Sequence, residues 1–448
     1  MYFPRLGNIA REAFTQFNKL PTAQRTTKIT GDIISDSLEA LTSLPLAVAR
    51  ALGSGQDLPQ PIISNKNNLD LASVAADFRA GSGNEDAVLT IEELIQKYGY
   101  KFQRHQVVTE DGYVLTLFRI PSNGSVVFLM HGLIASSDDF VTAGPESGLA
   151  YLLAKEGFDV WMGNARGNKH SRHHIDLVPS QAQFWKFSWH EIGYYDLPAM
   201  IDYILNVTGK TTLKYVGHSQ GTTIFFVMAS EKPEYNAKVD IMVALSPVAF
   251  MSHTKSPVVR LLAVGTGPLH AIAKTVGIYE VFADTQFSRS LKRLMCGYGP
   301  VSELLCTNPI LLVVGFSFVH LNTTNLPVVY GHTPCGSSVK QFAHFGQGVL
   351  SGEFRQYDYG AVENLKMYGS KTPPEYKLEN INTPVALFYS DADWLAQPAD
   401  VAKLYAELGN VIDTYQVPYD MFNHMDFLLA TDFKKIIYNR LRQLLNET

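Results

Sequence analysis

The chain has 448 residues, which is too long for one ordinary hydrophobic core and suits a large α/β domain with insertions, or two domains. Hydrophobic residues at 46% and charged residues at 18% are typical of a globular protein, and the net charge of -5 argues against a nucleic-acid partner. The longest apolar run, 310–319, is interrupted by Gly315 and Ser317 and is too short for a transmembrane span.

The first 88 residues differ from the rest of the chain. Residues 1–20 carry charged side chains without an uninterrupted apolar stretch, so no signal peptide is visible at Met1. Leucines recur at helical spacing within 36–52, but Pro45 would kink or break such a helix. We therefore predict that 1–88 is an extension and linker whose role the sequence does not define.

Regular structure is predicted from residue 89. Thr90, with Glu93 three residues later, is typical of a capping box and predicts a helix over 90–98. Asp111-Gly112 lies between alternating apolar residues and predicts a β-hairpin over 105–121. Further along, Asp196 is the expected N-cap of a helix that begins at 197.

Short apolar strands then alternate with helices, which predicts an α/β fold with a mostly parallel central sheet and helices on both faces. The alternation stops after Ser246-Pro247 and resumes near 384. We therefore assign 89–247 and 371–448 to the two parts of the core, and 248–370 to an inserted cap or lid over the carboxyl ends of the strands. The predicted strands are 125–130, 158–162, a run ending at 216, 241–245, 384–389 and 414–417.

A candidate nucleophile lies at Gly217-His218-Ser219-Gln220-Gly221, between an apolar strand and an apolar helix. A sharp strand-to-helix turn exposes the serine hydroxyl, and it leaves little space for side chains at the flanking positions. Gly217 and Gly221 meet that requirement. The pattern predicts a nucleophile elbow centred on Ser219.

A serine hydroxyl needs a base to take its proton, and the base needs a carboxylate to hold it. In parallel-sheet hydrolases with such a turn these residues follow in the order serine, acid, histidine, on loops after late strands. His424 follows the last predicted strand and is the expected base. Asp391 and Asp393 both follow the strand before it, and the residues alone do not separate them.

The oxyanion hole requires two backbone N–H groups that point at one position. We assign one to Gln220, directly after the nucleophile, and the other to Leu133, after the strand 125–130. His131 and His218 are interpreted as structural neighbours of these amides. The histidine-rich tract 169–174 lacks carboxylates or cysteines at ligand spacing, so we interpret it as a solvated loop; no metal or other cofactor is expected.

Two features favour a compartment outside the cytosol. Four N-glycosylation sequons are present, and Cys296 and Cys306 are close enough in sequence to form a disulfide, which leaves Cys335 without a partner. The sequon asparagines are Asn123, Asn206, Asn322 and Asn446.

The motifs together resemble the acid lipase family of gastric and lysosomal lipases and their insect relatives. The resemblance spans about 90–446 and is carried by His131-Gly132-Leu133 and by the segments 158–168, 184–199, 217–223 and 422–427. It implies an α/β-hydrolase fold with a cap and lid. It also implies hydrolysis of triacylglycerols or sterol esters at an oil–water or membrane interface, by a secreted or lysosomal protein.

Residue by residue, the resemblance assigns Ser219 as nucleophile, His424 as base, and Leu133 and Gln220 as oxyanion amides. It selects Asp393 over Asp391, because the family carries its aspartate directly before a stretch similar to 394–396. It also pairs Cys296 with Cys306 as the family's cap disulfide. Alternatives for the activity are a soluble esterase of small esters, a lipid-binding relative without catalysis, and a serine peptidase.

Overall fold

The computed structural model describes residues 84–275, 277–284, 313–315, 320, 322 and 325–447. The predictions for residues 1–83 and the predicted disulfide between Cys296 and Cys306 lie outside the described residues and stay predictions.

A mixed β-sheet with a mostly parallel centre organises the fold, in the order β1-β2-β4-β3-β6-β7-β10-β11 with β5 beside β2. The pairs from β4 to β11 are parallel, whereas β2 pairs antiparallel with β1, β4 and β5. This confirms the predicted sheet. The strands are β1 Gln103–Val108, β2 Tyr113–Ile120, β3 Val126–Met130, β4 Asp159–Met162, β5 His173–His174, β6 Leu213–His218, β7 Val239–Leu245, β8 Glu280–Val281, β9 Ser337–Ser338, β10 Val385–Tyr389 and β11 Val411–Gln416.

Helices connect the parallel strands and cover the sheet. They are α1 Ile91–Lys97, α2 Leu149–Lys155, α3 Trp189–Glu191, α4 Leu197–Thr208, α5 Gln220–Glu231, α6 Pro257–Thr275, α7 Leu326–His332, α8 Val339–Ser351, α9 Ala361–Tyr368, α10 Pro398–Glu407, α11 Asp426–Leu429 and α12 Asn439–Glu447.

Both faces of the sheet are buried in apolar cores. Successive residues of a strand point to opposite faces. Accordingly Tyr215 of β6 packs in one cluster of buried side chains, and its neighbour Val216 packs in a second cluster. Each fully buried large apolar side chain of this kind contributes about 1.5–3 kcal/mol relative to an exposed one. The apolar strands in the sequence thus reflect burial on both sides.

Local sequence signals form the first elements as predicted. In the capping box of α1, the Thr90 hydroxyl accepts a hydrogen bond from the Glu93 amide (3.2 Å), and the Thr90 amide donates to the Glu93 carboxylate (2.7 Å). The hairpin β1–β2 turns at Gly112, whose φ of 91° favours glycine. A Cβ atom there would also lie 2.8 Å from the His174 ring.

The predicted helix begins at Leu197 as expected, but Asp196 does not cap it. The helical backbone already runs from α3 through a π-helical turn, Ile192–Asp196, into α4. The Asp196 side chain makes no capping hydrogen bond to α4 and instead binds the Arg166 guanidinium, with Nε–Oδ1 at 2.7 Å. A buried arginine needs a carboxylate partner. Pairing with Arg166 therefore determines the orientation of the Asp196 side chain, rather than the capping preference of aspartate.

The described residues between 248 and 370 contain helices α6 to α9 and the two-stranded sheet β8–β9, and none of them pairs with the main sheet. This agrees with the expectation that the strand alternation stops there. The boundaries of the proposed cap stay a prediction. No helix of the described residues combines the length and apolar character that a membrane span requires.

Candidate active site

Ser219 lies at a sharp turn between β6 and α5. Its backbone has φ 53° and ψ −120°, a conformation that costs a non-glycine residue about 1–3 kcal/mol. The turn is held because the Ser219 amide donates to the Leu245 carbonyl (3.0 Å) and the Ser219 carbonyl accepts from the Thr222 amide (2.8 Å). The side chain stays half-buried and therefore reachable. A strained, accessible serine is the geometry expected of an elbow nucleophile.

The two glycines of the motif are required by close backbone packing. A Cβ atom on Gly217 would lie 2.8 Å from the carbonyl carbon and oxygen of Gly221. A Cβ atom on Gly221 would lie 2.2 Å from the carbonyl oxygen of Met130, at the end of β3. These contacts permit no side chain, so the elbow can form only with glycine at both positions.

The loop after β3 lies against the nucleophile. A Cβ atom on Gly132 would be 3.2 Å from the Ser219 Cβ and 3.6 Å from its Oγ. The His131 ring fixes this loop, since Nδ1 contacts the Gly132 carbonyl (2.7 Å) while Nε2 accepts from the Ala165 amide (3.1 Å). Burial lowers the pKa of His131 to about 4. The ring is therefore neutral and structural, as the sequence interpretation expected.

The two amides assigned to the oxyanion hole belong to residues adjacent to the elbow contacts. Leu133 directly follows Gly132, and Gln220 is the first residue of α5, where backbone N–H groups have no helical partner. Within the described residues, no acceptor is recorded for either N–H. Both amides are thus available to a substrate oxygen.

The structure separates the two carboxylates that the residues alone left open. Asp393 is fully buried, and its Oδ1 accepts hydrogen bonds from the amides of Leu395 (2.8 Å) and Ala396 (3.0 Å). Asp391 is exposed and accepts from the Gln416 side chain (3.0 Å). Only the Asp393 carboxylate faces the candidate base.

His424 contacts this carboxylate, with Nδ1 2.9 Å from Oδ2 of Asp393. Burial opposes ionisation of Asp393, but the His424 ring and its hydrogen bonds outweigh burial and hold the pKa of the carboxyl below its usual value. His218 Nε2 lies 3.0 Å from the His424 carbonyl, which ties the base loop to the elbow. Among the described residues no hydrogen bond joins Ser219 to the His424 ring; such contacts often shorten only with substrate bound.

Sequence reasoning missed Ser246. This buried residue directly follows β7, and its hydroxyl donates to Oδ2 of Asp393 while lying 2.6 Å from Nδ1 of His424. Its position after a buried strand was readable from the sequence, whereas the place of that strand between β6 and β10 is known only from the folded sheet. Its contacts depend on three loops that meet only in the folded chain.

The tract 169–174 is not the solvated loop that we expected. Lys169 and His170 contact the buried carboxylate of Asp138 at 2.7 Å each, and His173–His174 forms β5. Burial disfavours the charge on Asp138, but the Lys169 ammonium and the hydrogen bonds from neighbouring side chains hold its pKa well below the usual value. No local pattern in the tract indicates this carboxylate, because Asp138 lies far upstream in the chain. No metal-binding cluster occurs among the described residues.

The remaining predicted residues are placed as follows. Cys335 is a buried free thiol. The sequon asparagines are exposed: Asn123, Asn206, Asn322 and Asn446. Exposure is compatible with glycosylation, which stays a prediction for each of them.

Two family models match the chain. A partial alpha/beta-hydrolase lipase region matches residues 91–144, and the alpha/beta hydrolase fold matches residues 125–265. The two ranges together hold β3, the Leu133 loop and the Ser219 elbow.

Curated relatives extend the similarity over most of the chain. Lipase 1 of Drosophila melanogaster is 44% identical over 365 residues, which cover 81% of each chain. Gastric triacylglycerol lipase of Rattus norvegicus is 38% identical over 379 residues, which cover 82% of this chain and 94% of the relative.

Solved structures show the same fold. The crystal structure of a candidate lipase from Sulfolobus solfataricus superposes with a TM-score of 0.52 at 13% identity. The superposition covers 77% of this chain and 94% of that chain. At this identity the likeness concerns the fold.

Proposed function

This chain belongs to the family of α/β-hydrolase lipases that includes Lipase 1 of Drosophila melanogaster and the gastric triacylglycerol lipases, and we propose that it hydrolyses neutral-lipid esters at Ser219. As a member of that family it is a lipase, an enzyme that cleaves ester bonds.

In the proposed mechanism His424 removes the proton from Ser219 as its hydroxyl attacks the ester carbonyl. Asp393 holds the imidazole in the tautomer with Nδ1 protonated and stabilises its charged form. The Leu133 and Gln220 amides hold the oxyanion of the tetrahedral intermediate. His424 then protonates the departing alcohol, and water repeats the cycle on the acyl-enzyme. The residues present account for each step without a cofactor.

One observation carries the proposal: the strained Ser219 elbow follows β6, the buried Asp393–His424 pair lies on the loops after β10 and β11 of the same sheet, and His218 contacts the His424 carbonyl. Stability alone gives no reason to retain a serine with φ 53° and a carboxylate–imidazole pair removed from water. Catalysis gives a reason for both.

The proposed substrates are triacylglycerols or sterol esters at an oil–water or membrane interface. Support comes from the gastric triacylglycerol lipases among the relatives, which match over most of their length. Leu133 and Ile134 follow Gly132, which lies against the nucleophile, and their half-buried side chains offer apolar surface for an acyl chain.

The test compares wild type with Ser219→Ala on emulsified triolein, cholesteryl oleate and a soluble short-chain ester, at acidic and mildly alkaline pH. We expect long-chain hydrolysis in wild type and a loss of about 10³-fold or more in the variant. Activity confined to the soluble ester would replace the proposal with a small-ester esterase. Equal activity of both proteins would exclude Ser219 as nucleophile.

We also propose a secretory route, to the cell exterior or the lysosome, because all four sequon asparagines are exposed. Protein from a eukaryotic secretory host should gain mobility on a gel after endoglycosidase treatment. A quadruple Asn→Gln variant at these positions is the control and should not shift. Unchanged mobility of wild type would contradict glycosylation.

A further inference from the structure

The hydroxyl of Ser246 contacts both members of the Asp393–His424 pair. It donates to Oδ2 of Asp393, and Oγ lies 2.6 Å from Nδ1 of His424. We infer that Ser246 is a positioning residue of the hydrolysis reaction, which holds the acid and selects the working tautomer of the base. The inference rests on the proposed function, since it presumes that Asp393 and His424 act as acid and base.

The tautomer follows from counting protons. A serine hydroxyl has one hydrogen, and an ionised carboxylate can only accept. If the Ser246 hydrogen is donated to Asp393, only its lone pairs can face His424. Nδ1 of His424 then meets two acceptors and must carry the hydrogen. This leaves Nε2 with the lone pair that a general base needs for Ser219.

The fold fixes this hydroxyl between the two loops. Ser246 directly follows β7, which lies in the sheet between β6, leading to Ser219, and β10, leading to Asp393. The Ser246 amide donates to the Phe388 carbonyl of β10 (2.8 Å), and its φ of 55° turns the chain sharply at that point. The side chain is fully buried, so water does not replace it.

The histidines near the Asp393–His424 pair, His218 and His131, are neutral and do not take over the positioning role of the Ser246 hydroxyl. The His218 ring is 5.0 Å from the His424 ring, and burial lowers the pKa of His218 to about 3, so it stays neutral. His131 is neutral for the same reason. On Asp393, Oδ1 accepts hydrogen bonds from the Leu395 and Ala396 amides. Oδ2 accepts from the Ser246 hydroxyl and contacts Nδ1 of His424.

The first test replaces Ser246 with glycine and measures hydrolysis of a soluble ester. Glycine accepts a φ of 55° without strain, so Ser246→Gly removes the hydroxyl and keeps the backbone. We expect kcat to fall about tenfold to 100-fold with KM within about twofold, the size of one lost hydrogen bond to a charged group. The acid limb of the pH profile should move upward, because the Asp393 carboxylate without this donor stabilises the charged imidazole more strongly.

A double-mutant cycle separates this role from a merely structural one. With Asp393→Asn already in place, Ser246→Gly should change kcat less than about twofold, because the hydroxyl acts through the carboxylate. An equal loss in both backgrounds, or an unmoved pH profile, would overturn the inference. If Ser246→Gly kept the wild-type kcat while Ser219→Ala was inactive, only the inference about Ser246 would be overturned. An active Ser219→Ala variant would instead refute the proposed function itself.

Discussion

At the scale of single residues, environment separates two aspartates that the sequence places two positions apart. Asp393 is buried against His424, while Asp391 is exposed and binds Gln416. A carboxylate removed from water near an imidazole can stabilise an imidazolium far better than one screened by solvent.

We therefore expect Asp393→Asn to lower kcat by about 10³-fold or more, because an amide can stabilise neither the tautomer nor the charge. Asp391→Asn is the matched control and should stay within about twofold of wild type. The measurement is kcat on a soluble ester at fixed pH. A greater loss in Asp391→Asn than in Asp393→Asn would reverse the assignment.

The sequence was informative about the residues whose role depends on local chain geometry. Ser219 is identified by its flanking glycines and by its place between a strand and a helix, which are properties of a few adjacent residues. The contacts of Ser246, and those of Asp138 with Lys169 and His170, were missed because they join segments that are far apart in the chain.

At the scale of elements, the elbow depends on the close approach of α5 to the end of β3. Gly221 lies so near the Met130 carbonyl that a Cβ atom would be 2.2 Å from its oxygen. Both positions are backbone atoms of packed elements, so neither can move aside on its own. A side chain here must displace either the helix or the strand that leads to the Leu133 loop.

Gly221→Ala should therefore destabilise the protein by about 3 kcal/mol or more and abolish activity. Gly348→Ala is the control: Gly348 lies within α8, no atom lies within 4 Å of its added Cβ, and helix propensity favours alanine by about 1 kcal/mol. Urea midpoints and ester hydrolysis report both effects. A stable, active Gly221→Ala protein would show that the elbow is looser than described.

Elements were predictable where one local signal decides them. The hairpin at Asp111-Gly112 and the capping box of α1 formed as expected. The helix after Asp196 begins at Leu197 as expected, but the predicted capping role of Asp196 is wrong, because its carboxylate binds buried Arg166 rather than the helix N-terminus. The partner of such a side chain depends on tertiary charge pairing that no local pattern contains.

At the scale of the whole molecule, the loop after β3 contacts the segment after α7, and the buried carboxylate of Asp139 takes part in this contact. The Thr333 hydroxyl donates to Oδ1 of Asp139 (2.7 Å), and the Cys335 amide donates to the Ile134 carbonyl (2.7 Å). Burial raises the pKa of Asp139 to about 6. The folded protein therefore pays a free-energy penalty whenever this carboxyl is ionised.

The cost of ionising Asp139 makes the stability of the folded protein depend on pH. The penalty is absent below about pH 4, grows as pH rises to about 6, and is then constant at up to about 3 kcal/mol. Asp139→Asn keeps the acceptor for Thr333 and should raise the urea midpoint at pH 7.5 but not at pH 4. Asp391→Asn is the exposed control. A gain of equal size at both pH values would contradict the titration of Asp139.

The most direct test of the central claim is the site of covalent labelling by a long-chain alkylphosphonate ester, mapped by mass spectrometry of the digested protein. The account predicts one adduct, on Ser219, formed about 100-fold or more slowly in His424→Ala and at the wild-type rate in Asp391→Asn. An adduct on another residue, or hydrolysis that continues with Ser219 unlabelled, would contradict it.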